Sequence, residues 1–167
     1  VLENFSGDIE VSGWDRNLVR VQADHPSRTR INVAVRPATV VVSAVTRIRL
    51  PDLDNRRRAQ AEYKKALEEI ELPSRVSYQL TVPRWMGLAL SGLNSSISVA
   101  GVEGDVTAEV VNGSVDLRGG RGTIRLGSVN GEVEATGVQG SVEASSVSEG
   151  ITLRDVTLVD PACFTAY

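Results

Sequence analysis

Three carboxylates, Asp116, Glu132 and Glu134, are the residues of this chain whose types and spacing could do acid–base chemistry. An eighteen-residue period in the sequence, set out below, places Asp116 and Glu134 on neighbouring strands, with Glu132 on the same face. Two carboxyl groups one strand apart approximate the arrangement of a retaining glycosidase, one serving as nucleophile and the other as general acid. The pattern also has a plainer role. Outward Asp and Glu keep a flat sheet soluble and discourage stacking against another sheet. The plainer role is the preferred reading, so the three form a surface patch and no catalytic residue is expected.

Little else in the chain carries reactive chemistry. Cys163 is the single cysteine, which excludes an intrachain disulfide and a cysteine-based zinc site. His25 is the only histidine and precedes Pro26 in a turn-like stretch. Glycine recurs as it does in calcium-binding repeats, but no aspartate recurs at the turn to supply hard oxygen ligands. No phosphate loop, dinucleotide fingerprint or Ser–His–Asp set is present. The expectation is therefore no metal and no cofactor. "RGGRG" at 118–122 falls on a strand end and corner, and "RRR" at 56–58 on an exposed helix face. Residues 1–93 hold 14 Lys and Arg against 11 Asp and Glu, a net of +3, whereas residues 94–167 hold 4 against 10, a net of −6. An acidic second half argues against nucleic acid, which needs a basic face.

The elements that would position these residues are read from a repeat. From Ser95 the chain advances in steps of nine: SSISVAGVE, GDVTAEVVN, GSVDLRGGR, GTIRLGSVN, GEVEATGVQ, GSVEASSVS, EGITLRDVT. Positions 3, 5 and 8 are mostly Val, Ile, Leu or Ala, and positions 2, 4 and 6 are mostly polar. Period-2 alternation followed by a corner predicts one short strand per unit, with positions 3, 5 and 8 in the core. Position 9 alternates, so Asn94, Asn112 and Asn130 recur every eighteen residues. Stacked at about 4.8 Å, these would form a corner ladder of side-chain amides. Aromatic content of 4% fits a core built from small branched residues.

The first half is less regular. Alternating runs at 18–22, 30–36, 39–50 and 76–82 read as longer strands. Residues 53–71 carry Ala59, Tyr63, Ala66, Leu67 and Ile70 at helical spacing between Pro51 and Pro73, which predicts one inserted α-helix. The expected fold is all-β: a parallel β-solenoid forming one domain over residues 1–167, with right-handed coiling favoured. It comprises nine-residue units pairing into eighteen-residue coils at 86–157, an irregular part at 1–85, and a cap or truncated end at 158–167. The chain begins inside a repeat-like motif, as a piece trimmed from a longer protein would. No run of 18 apolar residues occurs, so no transmembrane segment is expected.

"ENFSGDIEVSGWDRNLVRV" at the start, with "VNGSVDLRG" and "VNGEVEATGVQGSVEASSV" later, resembles a family of bacterial adhesin β-strand repeat domains related to auto-transporter adhesin heads. The resemblance spans nearly all of the chain except the insertion and the last few residues. It implies an extracytoplasmic module, secreted, periplasmic or surface-anchored, and brings no catalytic residues with it. The expected function is non-enzymatic: surface adhesion, ligand binding or envelope assembly, with a protein or glycan of the cell envelope as partner. The alternatives are a carbohydrate-active enzyme using Asp116, Glu132 and Glu134, and a scaffold that polymerises end to end through its exposed ends.

Overall fold

The structure is a computed structural model that describes residues 1–27, 29–36, 39–44 and 75–159 and the backbone of 45–46 and 163–166. Among these residues fourteen strands form one continuous sheet. A first wall contains β2 (Ile9–Trp14), β6 (Ser77–Pro83) and β8 (Ile97–Val102), with β3 (Arg20–Asp24) at its margin. A second contains β1 (Leu2–Ser6), β5 (Thr39–Thr46), β7 (Leu88–Asn94) and β9 (Val106–Asn112), with β4 (Thr29–Arg36) at its margin. Two long strands, β10 (Val115–Asn130) and β11 (Val133–Ser146), belong to both walls. The first half of β10 pairs with β8 and its second half with β9, so the sheet folds over along this strand. β12 (Ile151–Arg154), β13 (Thr157–Leu158) and β14 (Cys163–Ala166) pair along β11. The result is a nearly closed, barrel-like wall around a shared apolar core.

The nine-residue steps set the register of the regular part. Val115 lies between Ile97 and Val133, and Ile124 between Val106 and Val142, each partner eighteen residues away. A slip by one residue would turn every inward Val and Ile to solvent, so the burial pattern holds this register. At both margins the pairing changes direction. β3 runs antiparallel to β6, and β4 antiparallel to β5 over eight residue pairs. Only residues 37 and 38 separate β4 from β5, whereas a parallel connection needs a dozen or more residues, so these neighbours pair antiparallel.

These margins overturn the expected fold class. The sheet is mixed and closes nearly into a barrel, so the architecture is not a parallel β-solenoid, and no helix occurs among the described residues. The alternating runs of the first half show that strands form but not which way they run. For β4 and β5 the two-residue link decides that. The expected helix at 53–71 lies outside the described residues.

The core contains Ile97, Val99, Val106, Ala108, Val115, Leu117, Ile124, Leu126, Val133, Ala135, Val142 and Ala144, which are positions 3 and 5 of the repeat. Position 8 divides into two groups. Val102 and Val138 are fully buried, whereas Leu93, Val111, Val129 and Val147 are exposed. The cause lies one residue earlier. Gly101, Gly119 and Gly137 have φ of 65°, 65° and 68°, a left-handed kink that shifts the inward–outward alternation by one residue. The intervening units have no such kink at position 7. Their Val110, Ser128 and Ser146 stay buried, and the next residue points out.

Candidate functional site

The folded first wall brings the three sequence-identified carboxylates onto its outer face. Asp116 is in register with Ser98 and Glu134, and Glu134 with Thr152. Each carboxylate has a neighbour that occupies it. The Arg118 guanidinium donates to Asp116 through Nη2 at 2.7 Å and Nε at 3.3 Å. That hydrogen bond and the Asp116 charge, with Glu134 further off, hold Arg118 protonated even more firmly than usual. Arg154 Nη1 stands 3.8 Å from Glu134 Oε1. Thr152 Oγ1 donates to Glu132 Oε1 at 3.0 Å. On the second wall, Arg125 Nε meets Glu143 Oε2 at 3.0 Å, an exposed pair of small energetic weight. The carboxylates are adjacent on an open surface, but Asp116 and Glu134 are tied into charge pairs and Glu132 accepts from a hydroxyl.

The corner asparagines make a chain of amide hydrogen bonds. Asn112 Nδ2 donates to Asn94 Oδ1 at 2.8 Å, and Asn130 Nδ2 to Asn112 Oδ1 at 2.8 Å. Ser148 Oγ extends the chain to Asn130 Oδ1 at 3.0 Å. Asn112 and Asn130 each use one donor and one acceptor along the stack and Asn94 accepts at its end, so the row fixes the corner and presents an uncharged polar rim.

A second cluster, which sequence reasoning missed, lies where β2 leaves the first wall. The Arg16 guanidinium carbon is 5.4 Å from the centre of the Trp14 ring, and that of Arg20 is 5.6 Å away. Both lie within cation–π range. The loop between them is held in place. Trp14 Nε1–H donates to the Leu18 carbonyl at 2.7 Å, Arg84 N–H to the Trp14 carbonyl at 3.0 Å, and Arg84 Nε to Asp15 Oδ1 at 2.8 Å. Arg16 and Arg20 are exposed, and among the described residues neither has a carboxylate partner. Arg16, Arg20 and Arg84 against Asp15 leave a local charge of +2. The signal in the sequence was "WDRNLVR", one indole with arginines two and six residues later.

A hollow of about 600 Å³ opens between β6 and the second wall, lined by Leu2, Val42, Leu80, Val82, Trp85 and Leu90 among others. It is largely apolar, and Asp116, Glu132 and Glu134 are not among its lining residues. No group of three or more His, Cys, Asp or Glu side chains placed to hold a metal ion occurs among the described residues. No helix among them is long and apolar enough to cross a membrane.

No family model matches the chain, and no curated protein matches it. A solved structure described as a putative cell adhesion protein from Clostridium sporogenes ATCC 15579 is similar, at 10% identity and a TM-score of 0.45. The match covers 99% of this chain and 90% of that one. At this distance the likeness carries no functional argument, so function must be argued from this chain's own residues.

Proposed function

We propose that this chain is a non-enzymatic binding module of the bacterial cell envelope, acting outside the cytoplasm and adhering to an acidic glycan. The observation that carries this reading is the Trp14–Arg16–Arg20 cluster. Two guanidinium groups sit over one indole on a pinned loop, with their donors unspent on protein carboxylates. Guanidinium pairs carboxylate and sulfate groups in forked geometry, and a preordered loop loses little entropy on binding. The cluster is compact and the chain carries a net charge of −3, which fits single anionic sugars better than a continuous phosphate backbone. The placement in the envelope rests on the adhesin-like stretches at the start and in the repeats.

The test is calorimetric titration with a sulfated polysaccharide and with a polyuronate, for the parent chain and for Arg16→Gln/Arg20→Gln. Binding that weakens at least tenfold in the double variant, and that falls with added salt, is expected. Equal binding by both proteins, or none by the parent, refutes the reading. The competing glycoside hydrolase reading needs a free acid and nucleophile. It would be supported by glycan turnover that disappears in Glu134→Gln.

A further inference from the structure

Four outward residues at position 8, with Phe5 of β1, form a continuous row across five neighbouring parallel chain segments, the last just past the end of β11. Leu93, Val111 and Val129 are set side by side by the pairing of Asn94 with Asn112 and of Asn112 with Asn130. Ser148 N–H donates to the Val129 carbonyl, which carries the row on to Val147. At the other end, Asn4 pairs with Gly92 and Ser6 with Asn94, so Phe5 stands beside Leu93. Phe5, Leu93, Val111, Val129 and Val147 are each 37–48% exposed. Isolated exposed aliphatics are ordinary, but a contiguous run marks an interaction surface.

We propose that this row is the centre of a two-fold interface with a second copy of the chain, the two rows packing against each other. The pitch supports this occupant. Side chains repeating at about 4.8 Å meet residue for residue a surface of the same pitch, and an identical row supplies one. The distribution of charge agrees. The row is flanked on one side by the uncharged Asn94, Asn112 and Asn130 rim. On the other side, Glu109 lies two residues before Val111, and Arg125 and Glu143 lie four residues before Val129 and Val147. Charge is thus absent from the middle and confined to the rim, as in protein–protein interfaces. Glu3, Glu109 and Glu143 on this wall disfavour an anionic lipid surface.

Five strands at about 4.8 Å and seven residues at about 3.3 Å give a face of roughly 550 Å² per copy. The total of roughly 1,100 Å² clears the lower limit of about 1,000 Å² for a specific contact and falls short of the standard size of about 1,600 Å². A weak, reversible dimer follows.

Sedimentation velocity of the full chain, from low micromolar to near-millimolar concentration, tests the inference. The parent chain shifts from monomer to dimer. Val111→Glu and Val111→Lys each stay monomeric while keeping the parent's circular dichroism. Because the two-fold axis passes through the central strand β9, mixing these two variants restores a heterodimer. A parent that stays monomeric throughout overturns the proposal, as does a dimer indifferent to Val111→Glu. A monomer that binds neutral phosphatidylcholine vesicles through the same row overturns it in favour of lipid. These outcomes are independent of glycan binding at Arg16 and Arg20.

Discussion

Val138 and Val129 occupy the same position in adjacent nine-residue units, yet Val138 is 0% exposed and Val129 is 40% exposed. The left-handed Gly137 just before Val138 makes the difference. Aspartate at each position should therefore have very different effects. In Val138→Asp the burial of a valine side chain is lost, about 1.5–3 kcal/mol. A carboxylate is also placed where no charged group is buried among the described residues, at a cost of several kcal/mol more. The sum, about 4 kcal/mol or more, is a large part of the roughly 5–15 kcal/mol that holds a domain folded. Val129→Asp exchanges one solvated side chain for another and should cost below about 0.5 kcal/mol. Urea unfolding followed by the fluorescence of Trp14 and Trp85 and by far-ultraviolet circular dichroism measures both. The Val138→Asp defect should also shrink on acidification. Burial raises the pKa of the new carboxyl, so the folded state holds its proton more tightly than the unfolded chain and gains stability as pH falls. Equal losses in the two variants, or a Val138→Asp protein as stable as the parent, would refute the account of the glycine kink.

Two further outcomes follow from buried groups and close backbone approach. The Tyr78 hydroxyl is buried without a hydrogen-bond partner among the described residues, and burial raises its pKa above the ordinary 10.0. The unfolded chain therefore loses this proton first, and stability falls as pH rises past 10.0. Tyr78→Phe should raise stability at neutral pH by about 1 kcal/mol and make the alkaline decline shallower, both read from denaturant titrations. Gly140 has φ of 138°, and a Cβ there would overlap the carbonyl oxygen of Gly122 on the neighbouring strand. Gly140→Ala should cost about 3 kcal/mol or more. Gly150→Ala, with nothing within 4 Å of the added atom, should be neutral or slightly stabilising, both glycine variants being read from the same denaturant titrations.

How much of this was legible in the sequence differs from one element to another. The eighteen-residue recurrence of Asn94, Asn112 and Asn130 is a property of the chain alone, and a strand pairing with itself two units later inherits it as register. Positions 3 and 5 were readable as core because strand periodicity requires no knowledge of neighbours. Position 8 was not, because its direction depends on the φ of the preceding residue. Glycine at 101, 119 and 137, against Val110, Ser128 and Ser146, was a partial signal, since Gly92 precedes the exposed Leu93 without a left-handed φ. The Trp14 cluster was hidden for a related reason. Residues two and six apart meet over one ring only when a short loop is pinned by Arg84, which is remote in sequence.

By itself the sequence determined local quantities: which residues alternate, where corners fall, how often the pattern returns, and how little reactive chemistry is present. Only the tertiary structure decided strand direction at the margins, the near-closure of the sheet, the pairing of Asp116 and Glu134 with arginines, and the outward row from Phe5 to Val147. The physical reason is range. Alternation and turn chemistry act between neighbours along the chain. Direction, closure and exposure depend on which strand arrives alongside, and short connections and packing settle that only when the whole chain has folded.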